Sequence, residues 1–363
     1  MYENIEKMAH ASFLQNPRMY KTVLATQDEL KNWNGIISRC PYSEALHTAE
    51  WQDALRTCFK QLEPMYFTIR DNDNAIAGAL PCFVFRPIPA VKTLLSMPWT
   101  LPGGPLVFPE ADAVEATLSA MEKLDEISLS QSPFETALTL HPHCRPEVGD
   151  SLESSGYFRS VNFTHILEAG KGYDEIWKAY NKRIRGAVRK AQKTGVIVRE
   201  TEDEAEMMEF YRIYLSLMSK FSSTPKPYQL LRYLQISSIA RLVIAELDHQ
   251  IIAGLLFVHF NSSVRLWCEA SDPSFLKYRP NNAIIDYIIR WACENGYPYV
   301  DFGASPPGNK GLIAFKEEWK AQKTRFYTLT KLHSSWRKKL WVVSEPGLRR
   351  IYAAIQRFRI RNV

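Results

Sequence analysis

Glycine and proline are scarce in this chain, at 16 and 21 of 363 residues. That excludes collagen-like and linker-like sequences. The six cysteines (Cys40, Cys58, Cys82, Cys144, Cys268, Cys293) are scattered, and no C-x-x-C occurs. Neither a disulfide framework nor a structural zinc site is expected. The nearest approach to a metal motif, His141-Pro-His143-Cys144, crowds three ligands into four residues. A loop after a strand is the plainer reading there, and no metal is expected. No run approaches 18 uncharged apolar residues, so no membrane-spanning helix is expected. The start, Met1-Tyr-Glu-Asn-Ile-Glu-Lys7, lacks the basic-then-apolar order of a secretory signal. A reducing cytosol is the expected compartment. No G-x-S-x-G is present, so nothing marks a serine hydrolase.

Aromatics are plentiful: 9 Trp, 17 Tyr and 18 Phe, in a chain that is 46% apolar. Disorder is excluded, because this is ample core material. The length suggests two domains. The net charge of +6 is mild but uneven. From Ile176 to Lys193 there are seven basic residues and no acid, and from Leu332 to Val363 eight basic residues and one acid, Glu345. The remainder of the chain nets −8. Two local basic patches, rather than a basic protein, need explaining.

The first 165 residues read as mixed α and β. Trp51, Leu55 and Phe59 sit at helical spacing in a short helix over 49–59. Strands at 65–70 and 75–85 flank the turn Asp71-Asn-Asp-Asn74. A helix over 111–131 precedes a strand at 136–140. Before that helix, Pro98-Trp-Thr-Leu-Pro-Gly-Gly-Pro105 is a loop, read either as a connection or as a ligand-facing segment. In the second half, Asp174 caps a helix to Thr194, ended by Gly195. Its apolar stripe includes Ile176, Tyr180, Ile184, Val188 and Ala191, with Lys178, Lys182, Arg185, Arg189 and Lys193 on the opposite face and Arg183 and Lys190 flanking the stripe. Thr201-x-x-Glu204 reads as a capping box for a helix to Phe221. Strands follow at 241–247, 251–260 and 264–270, then a helix over 281–294 and a strand at 299–302. A short helix at 313–319 and a strand at 325–330 close the unit. The first half follows a weaker version of the same plan.

Ordered segments carry a family resemblance. Tyr180-Asn-Lys-Arg-Ile-Arg-Gly-Ala-Val-Arg-Lys-Ala-Gln-Lys-Thr-Gly-Val196 resembles the basic helix of FemAB-type peptidyltransferases. Arg279-Pro-Asn-Asn282, Tyr299-Val-Asp-Phe-Gly303 and Gly311-Leu-Ile-Ala-Phe-Lys316 resemble that family's second-domain segments, in order and spacing. Ala49-Glu-Trp-Gln-Asp-Ala-Leu55 and Gly103-Gly104-Pro105 fit the first. The resemblance spans about residues 40 to 330. It implies an α/β fold with a mixed sheet: two tandem GNAT-like (acyl-CoA N-acyltransferase-like) domains, 1–165 and 166–331, with a cleft between them. A basic amphipathic tail follows over 332–363. The helical hairpin that some members insert is not expected, since 221–241 is too short for it.

The resemblance also implies transfer of an acyl group to an amine of a cell-envelope or polysaccharide precursor, linked to a nucleotide or a lipid. The co-substrate is aminoacyl-tRNA or acyl-CoA, with no permanently bound cofactor. The other reading is a catalytically inactive module of this fold that binds RNA or anionic lipid. Acyl transfer requires a neutral amine, a stabilised oxyanion and a departing group that is protonated or paired. Lys316, after Phe315 in the segment matching the family's Phe-Lys motif, is implied as the charge stabiliser. Glu317-Glu-Trp-Lys320 departs from the family's glycine-rich continuation there. Asp301 lies in an apolar strand, where an unpaired carboxylate is costly. It either orients or deprotonates the acceptor amine, or is structural, and Glu269 has the same two readings. Lys277, Tyr278, Arg279 and Asn281 precede a helix whose N-terminus suits a donor phosphate, although Asn281 also reads as a helix cap. The glycine-bearing R/Q-x-x-G-x-G/A loop of acetyl-CoA enzymes is absent. Lys182, Arg183, Arg185, Arg189 and Lys190 form a face able to grip phosphates, or simply a solvated one. Trp99, Gly103, Gly104 and Trp267 are the acceptor-side candidates. The tail residues 336–361 suit an interfacial membrane contact, packing on the first domain, or RNA.

Overall fold

The computed structural model describes residues 19–305 and 308–361. The reading of the N-terminal segment, and Pro306 and Pro307 of the loop before Gly311, lie outside the described residues. Strands β1 (Tyr20–Leu24), β2 (Leu62–Asp71), β3 (Ile76–Ile88), β4 (Val91–Leu95), β5 (Leu106–Val107) and β6 (Glu135–Thr139) belong to the first half. β7 (Phe158–Glu168) joins the halves. β8 (Ile197–Thr201), β9 (Ala240–Leu247), β10 (Gln250–Phe260), β11 (Ser263–Ser271), β12 (Tyr299–Asp301) and β13 (Gln322–Leu332) belong to the second. The first-half helices are α1 (Gln27–Lys31), α2 (Trp33–Ile37), α3 (Ala49–Cys58), α4 (Ala113–Gln131) and α5 (Pro146–Ser154). The second half carries α6 (Tyr173–Ala179), α7 (Lys182–Lys193), α8 (Glu204–Lys220), α9 (Tyr228–Gln235), α10 (Pro280–Glu294) and α11 (Lys310–Glu318). The long α12 (Ser335–Arg361) ends the described chain.

All the strands form one sheet, in the order β1-β2-β3-β4-β6-β13-β7-β12-β11-β10-β9-β8, with β5 on β3. The centre of that order is an exchange. β13, the last strand of the second half, pairs with β6 of the first, while β7 pairs with β12 of the second. Each half therefore supplies a strand to the other, and the expected boundary at 165 falls inside β7. Two parallel pairs sit at corresponding places in the halves, β4 with β6 and β11 with β12. All the other pairs are antiparallel, as mixed sheets with crossover helices allow.

The apolar patterns explain which elements cover the sheet. α6, α7 and α10 bury Ile176, Ile184, Val188, Ile285 and Ile289 against Val243, Leu255, Phe257 and Val300. α8 and α9 cover the other face with Phe210, Tyr214, Leu230 and Leu234. Trp51 and Leu55 of α3 enter that same cluster, so one core crosses both halves. α4 and α5 close the first half over Phe67, Leu80, Leu138 and Leu329.

Several local expectations are corrected. The helix expected over 174–194 is two helices. The chain turns at Tyr180, and Asn181 accepts the Ile184 N–H at 2.8 Å as a new N-cap. Gly172, not Asp174, precedes α6. Gly195, at φ 85°, does end α7, and the Val196 N–H reaches back to the Ala191 carbonyl. The cap of α8 is Asp203, bonded to the Glu206 N–H, while Thr201 caps nothing and accepts the Asp203 N–H. Asn281 is not a helix cap, because α10 starts at Pro280 behind Arg279.

Candidate active site

β11 and β12 pair over only three residues, Ser263 with Tyr299, Val264 with Val300 and Arg265 with Asp301. Past that point no further pair forms. β11 also carries a bulge: Leu256 of β10 faces Cys268 and Phe257 faces Leu266, leaving Trp267 as the extra residue. A bulge bends its strand and re-aims the following side chains. We take the space at the carboxyl end of β12, beside the end of the ladder and the bulge, as the candidate slot.

Lys316 of α11 is buried at this slot. Its Nζ donates to the carbonyls of Gly303 at 2.7 Å and Ala304 at 3.2 Å. Burial pulls its ammonium down to about 8, against the attraction of Asp301 and Glu269. Glu269, partly buried on β11, receives no hydrogen bond from any described residue. Burial pushes its carboxyl up to about 7, with Lys316 working in the opposite direction. A proton acceptor and a cation thus face one slot, both poised near neutral pH.

Asp301 is held differently. One carboxylate oxygen accepts the Thr164 hydroxyl at 2.5 Å and the Gly303 N–H at 2.7 Å, and the other pairs with Arg265 at 2.9 Å. Arg265 is itself buried and grips Glu44 of the first half through two bonds, at 2.7 and 2.9 Å. Glu44, Arg265 and Asp301 make a desolvated chain of charges across the junction. Breaking such a chain leaves an uncompensated buried ion. The geometry gives Asp301 the place of an anchor: it fixes the turn at Gly303, whose carbonyl positions Lys316. The histidines around the anchor are kept neutral. Burial holds His141 well below its ordinary range and brings His47 down to about 4. His141 stacks on Tyr42, with ring centroids 5.4 Å apart. Among the described residues no group of three potential ligands could hold a metal ion.

Trp99 and Trp267, 168 positions apart in sequence, meet at the junction with ring centroids 6.5 Å apart. Trp267 also packs edge-on to Trp51, and Trp99 edge-on to Phe59. Lys226 lies over the Trp267 ring at 4.8 Å. Trp99 and Thr100 both adopt positive φ, 60° and 56°, a costly backbone for bulky and branched residues. Gly103 and Gly104 are buried, away from this surface. The Gly103 N–H bonds the Thr139 carbonyl at 2.9 Å, and a Cβ on Gly103 would lie 2.5 Å from the Ser96 carbonyl carbon. Their loop packs between the ends of β4 and β6.

The basic helix is partly committed to the fold. Arg183 pairs with Glu318 of α11 at 2.5 Å, which ties α7 to the helix bearing Lys316. Arg185 bonds the Lys178 carbonyl at 2.8 Å, and Arg189 lies over Trp177 at 5.7 Å. Lys182 and Lys190 are exposed. Near α10, Lys277 and Arg279 are exposed, Lys277 lies over Tyr278, and Asn281 bonds Ser271 at 3.2 Å. Phe315 packs edge-on to the buried Trp319 beneath α11. Sequence reasoning missed Glu44, Arg265 and Thr164. A basic residue inside the apolar strand Ser263-Val-Arg-Leu266 raises the same cost that singled out Asp301, and it would have flagged Arg265.

Residues 178–321 match the family described as acetyltransferase (GNAT) domain. That match lies within the second half. The slot described above lies in it, between its parallel strands. No curated protein sequence matches the chain. Among solved structures the chain is similar to FemX, at 14% identity and TM-score 0.71, over 89% of this chain and 99% of that one. It is also similar to the C-terminal domain of a protein from Agrobacterium fabrum named as a lysylphosphatidylglycerol synthetase. There the identity is 10% and the TM-score 0.57, over 86% of this chain and 95% of that one. A tandem GNAT protein from the clavulanic acid biosynthesis pathway matches at 12% identity and TM-score 0.55, over 86% of this chain and 98% of that one. With the match over 178–321, these likenesses show the tandem GNAT-like fold expected from the sequence.

Proposed function

We propose that the chain transfers an aminoacyl or acyl group from an activated ester or thioester to an amine of a cell-envelope precursor. The observation that carries this reading is the pair Glu269 and Lys316, tuned to about 7 and 8 at one slot of a GNAT domain. Glu269 takes a proton from the acceptor ammonium, and the freed amine attacks the donor carbonyl. Lys316 offsets the negative charge on the tetrahedral oxygen. Collapse breaks the bond to the departing oxygen or sulfur, which takes up the proton that the attacking nitrogen sheds as it becomes an amide. No covalent enzyme intermediate is needed.

Aminoacyl-tRNA is the favoured donor over acyl-CoA. The segment from Ser271 to Pro280 has no glycine, and Pro280 removes one N–H from the start of α10. Phosphate contacts there fall to Lys277 and Arg279, and to Lys182 and Lys190 on α7, which suits a larger polyanion. The names FemX and lysylphosphatidylglycerol synthetase among the similar structures agree with aminoacyl transfer. The Trp99, Trp267 and Lys226 surface is the acceptor side.

Purified protein should transfer from charged tRNA, and Lys316→Ala should lower turnover about 100–1,000-fold, the usual loss of one oxyanion-stabilising group. Donor binding, followed separately, should survive. Unchanged turnover in Lys316→Ala would remove this site. Transfer from acyl-CoA alone, with CoA co-purifying, would overturn the tRNA assignment.

A further inference from the structure

α12 presents an apolar face to solvent along nearly its whole length. Trp336, Leu340, Val343, Ile351 and Phe358 are all exposed, Val343 at 80% and Phe358 at 69%. At 100° per residue they fall within about 80° of arc, and the small residues Gly347 and Ala354 lie inside the same arc. From Trp336 to Phe358 the stripe is about 33 Å long, at 1.5 Å per residue. Much of the opposite side of the helix is occupied, with Val342 and Arg349 exposed there. Trp341 packs edge-on to Phe85, Lys338 pairs with Glu135, Arg337 bonds the Ser132 carbonyl at 2.6 Å, and Ala353 and Gln356 are buried. The helix is therefore docked on the body with its apolar stripe outward. A helix covering a body while facing water has the reverse arrangement, and a contiguous exposed stripe of this size marks a contact surface.

The charges bordering the stripe identify what it meets. Lys339 and Arg350 are exposed along one edge of the stripe, within about 40° of Val343 on the helix wheel. The only acid of the helix, Glu345, lies on the docked side and is paired with Arg349 at 2.6 Å. Apolar residues including a tryptophan, bordered by cations and free of acids, match the boundary layer of an anionic bilayer. We infer that α12 is an interfacial membrane helix. It lies flat on a lipid surface bearing negative headgroups, with Trp336, Val343, Ile351 and Phe358 immersed and Lys339 and Arg350 at headgroup level.

Flotation of the full chain with vesicles tests this. Vesicles of phosphatidylcholine with about one-third phosphatidylglycerol should carry the protein, with a blue shift of tryptophan emission, and pure phosphatidylcholine should not. Val343→Glu combined with Ile351→Glu, at exposed positions where folding is unaffected, should abolish binding. Lys339→Gln and Arg350→Gln should each weaken it about fivefold, and added salt should weaken it further. Failure to bind the anionic vesicles, equal binding to neutral ones, or binding indifferent to the double glutamate variant overturns the assignment. Sedimentation showing a dimer that the glutamate variant dissociates, with no vesicle binding, also overturns it and assigns the stripe to a second copy of the chain.

Discussion

At the scale of single residues, the slot holds two groups whose ordinary titration ranges lie six units apart and whose environments bring them together. Glu269 moves up because burial disfavours its anion, and Lys316 moves down because burial disfavours its cation. A general base must be deprotonated, so transfer should rise as pH increases through about 7. A stabilising ammonium must be protonated, so transfer should fall as pH increases through about 8. The expected kcat/KM profile is a narrow bell with its maximum between these limits. Glu269→Gln should remove the rising limb and leave a slow, flat region. Lys316→Arg should carry the falling limb upward beyond the measured range, because a guanidinium keeps its proton. A profile flat from pH 6 to 9 in the unaltered protein would show that neither group titrates in the reaction.

At the scale of elements, the two parallel strand pairs have opposite fates. The β11–β12 ladder ends at the candidate slot, while the chain's own loop packs at the end of the β4–β6 ladder. Gly103 makes that packing possible, since its backbone passes where a side chain would collide with Ser96. Gly103→Ala should therefore cost stability, about 1–3 kcal/mol by the measure of overpacking, read as a lower urea midpoint. Turnover per folded molecule should stay near that of the parent. A selective rise in the acceptor KM at unchanged stability would instead restore the ligand-facing reading of this loop. Most of the elements were legible in the sequence, because period-2 and period-3.6 apolar patterns are local properties. The break at Asn181 was not, since Tyr180 and Ile184 continue a plausible stripe and only tertiary packing turns the chain there. Of the site, Lys316 was singled out by a family segment and Glu269 by residue type, while Trp99 and Trp267 were separate candidates whose contact only the fold reveals. The Glu44, Arg265 and Asp301 chain did not, because its partners are brought together from three separate segments by the junction.

At the scale of the molecule, the exchange of β7 and β13 governs how the halves depend on each other. β7 pairs with β13 over nine residues and β13 with β6 over five, so neither half completes its own sheet. The core containing Trp51, Phe83, Phe210 and Leu234 draws on both halves, and the buried Arg265 is neutralised by Glu44 across the junction. A fragment ending at Glu168 would expose an unpaired β7 and an unpartnered Glu44. A fragment beginning at Ala169 would expose β13 along both edges and leave Arg265 half-paired. Open strand edges and unpaired buried charges are both costly. Residues 19–168 and 169–361, made separately, should lack cooperative unfolding and aggregate, while their co-expression should give a stoichiometric complex. The intact chain should unfold in one transition, with Trp emission and far-ultraviolet dichroism coincident, despite carrying two domain-sized halves. Two separated transitions, or one fragment unfolding cooperatively alone, would show that the halves are autonomous and that the exchanged strands merely tether them.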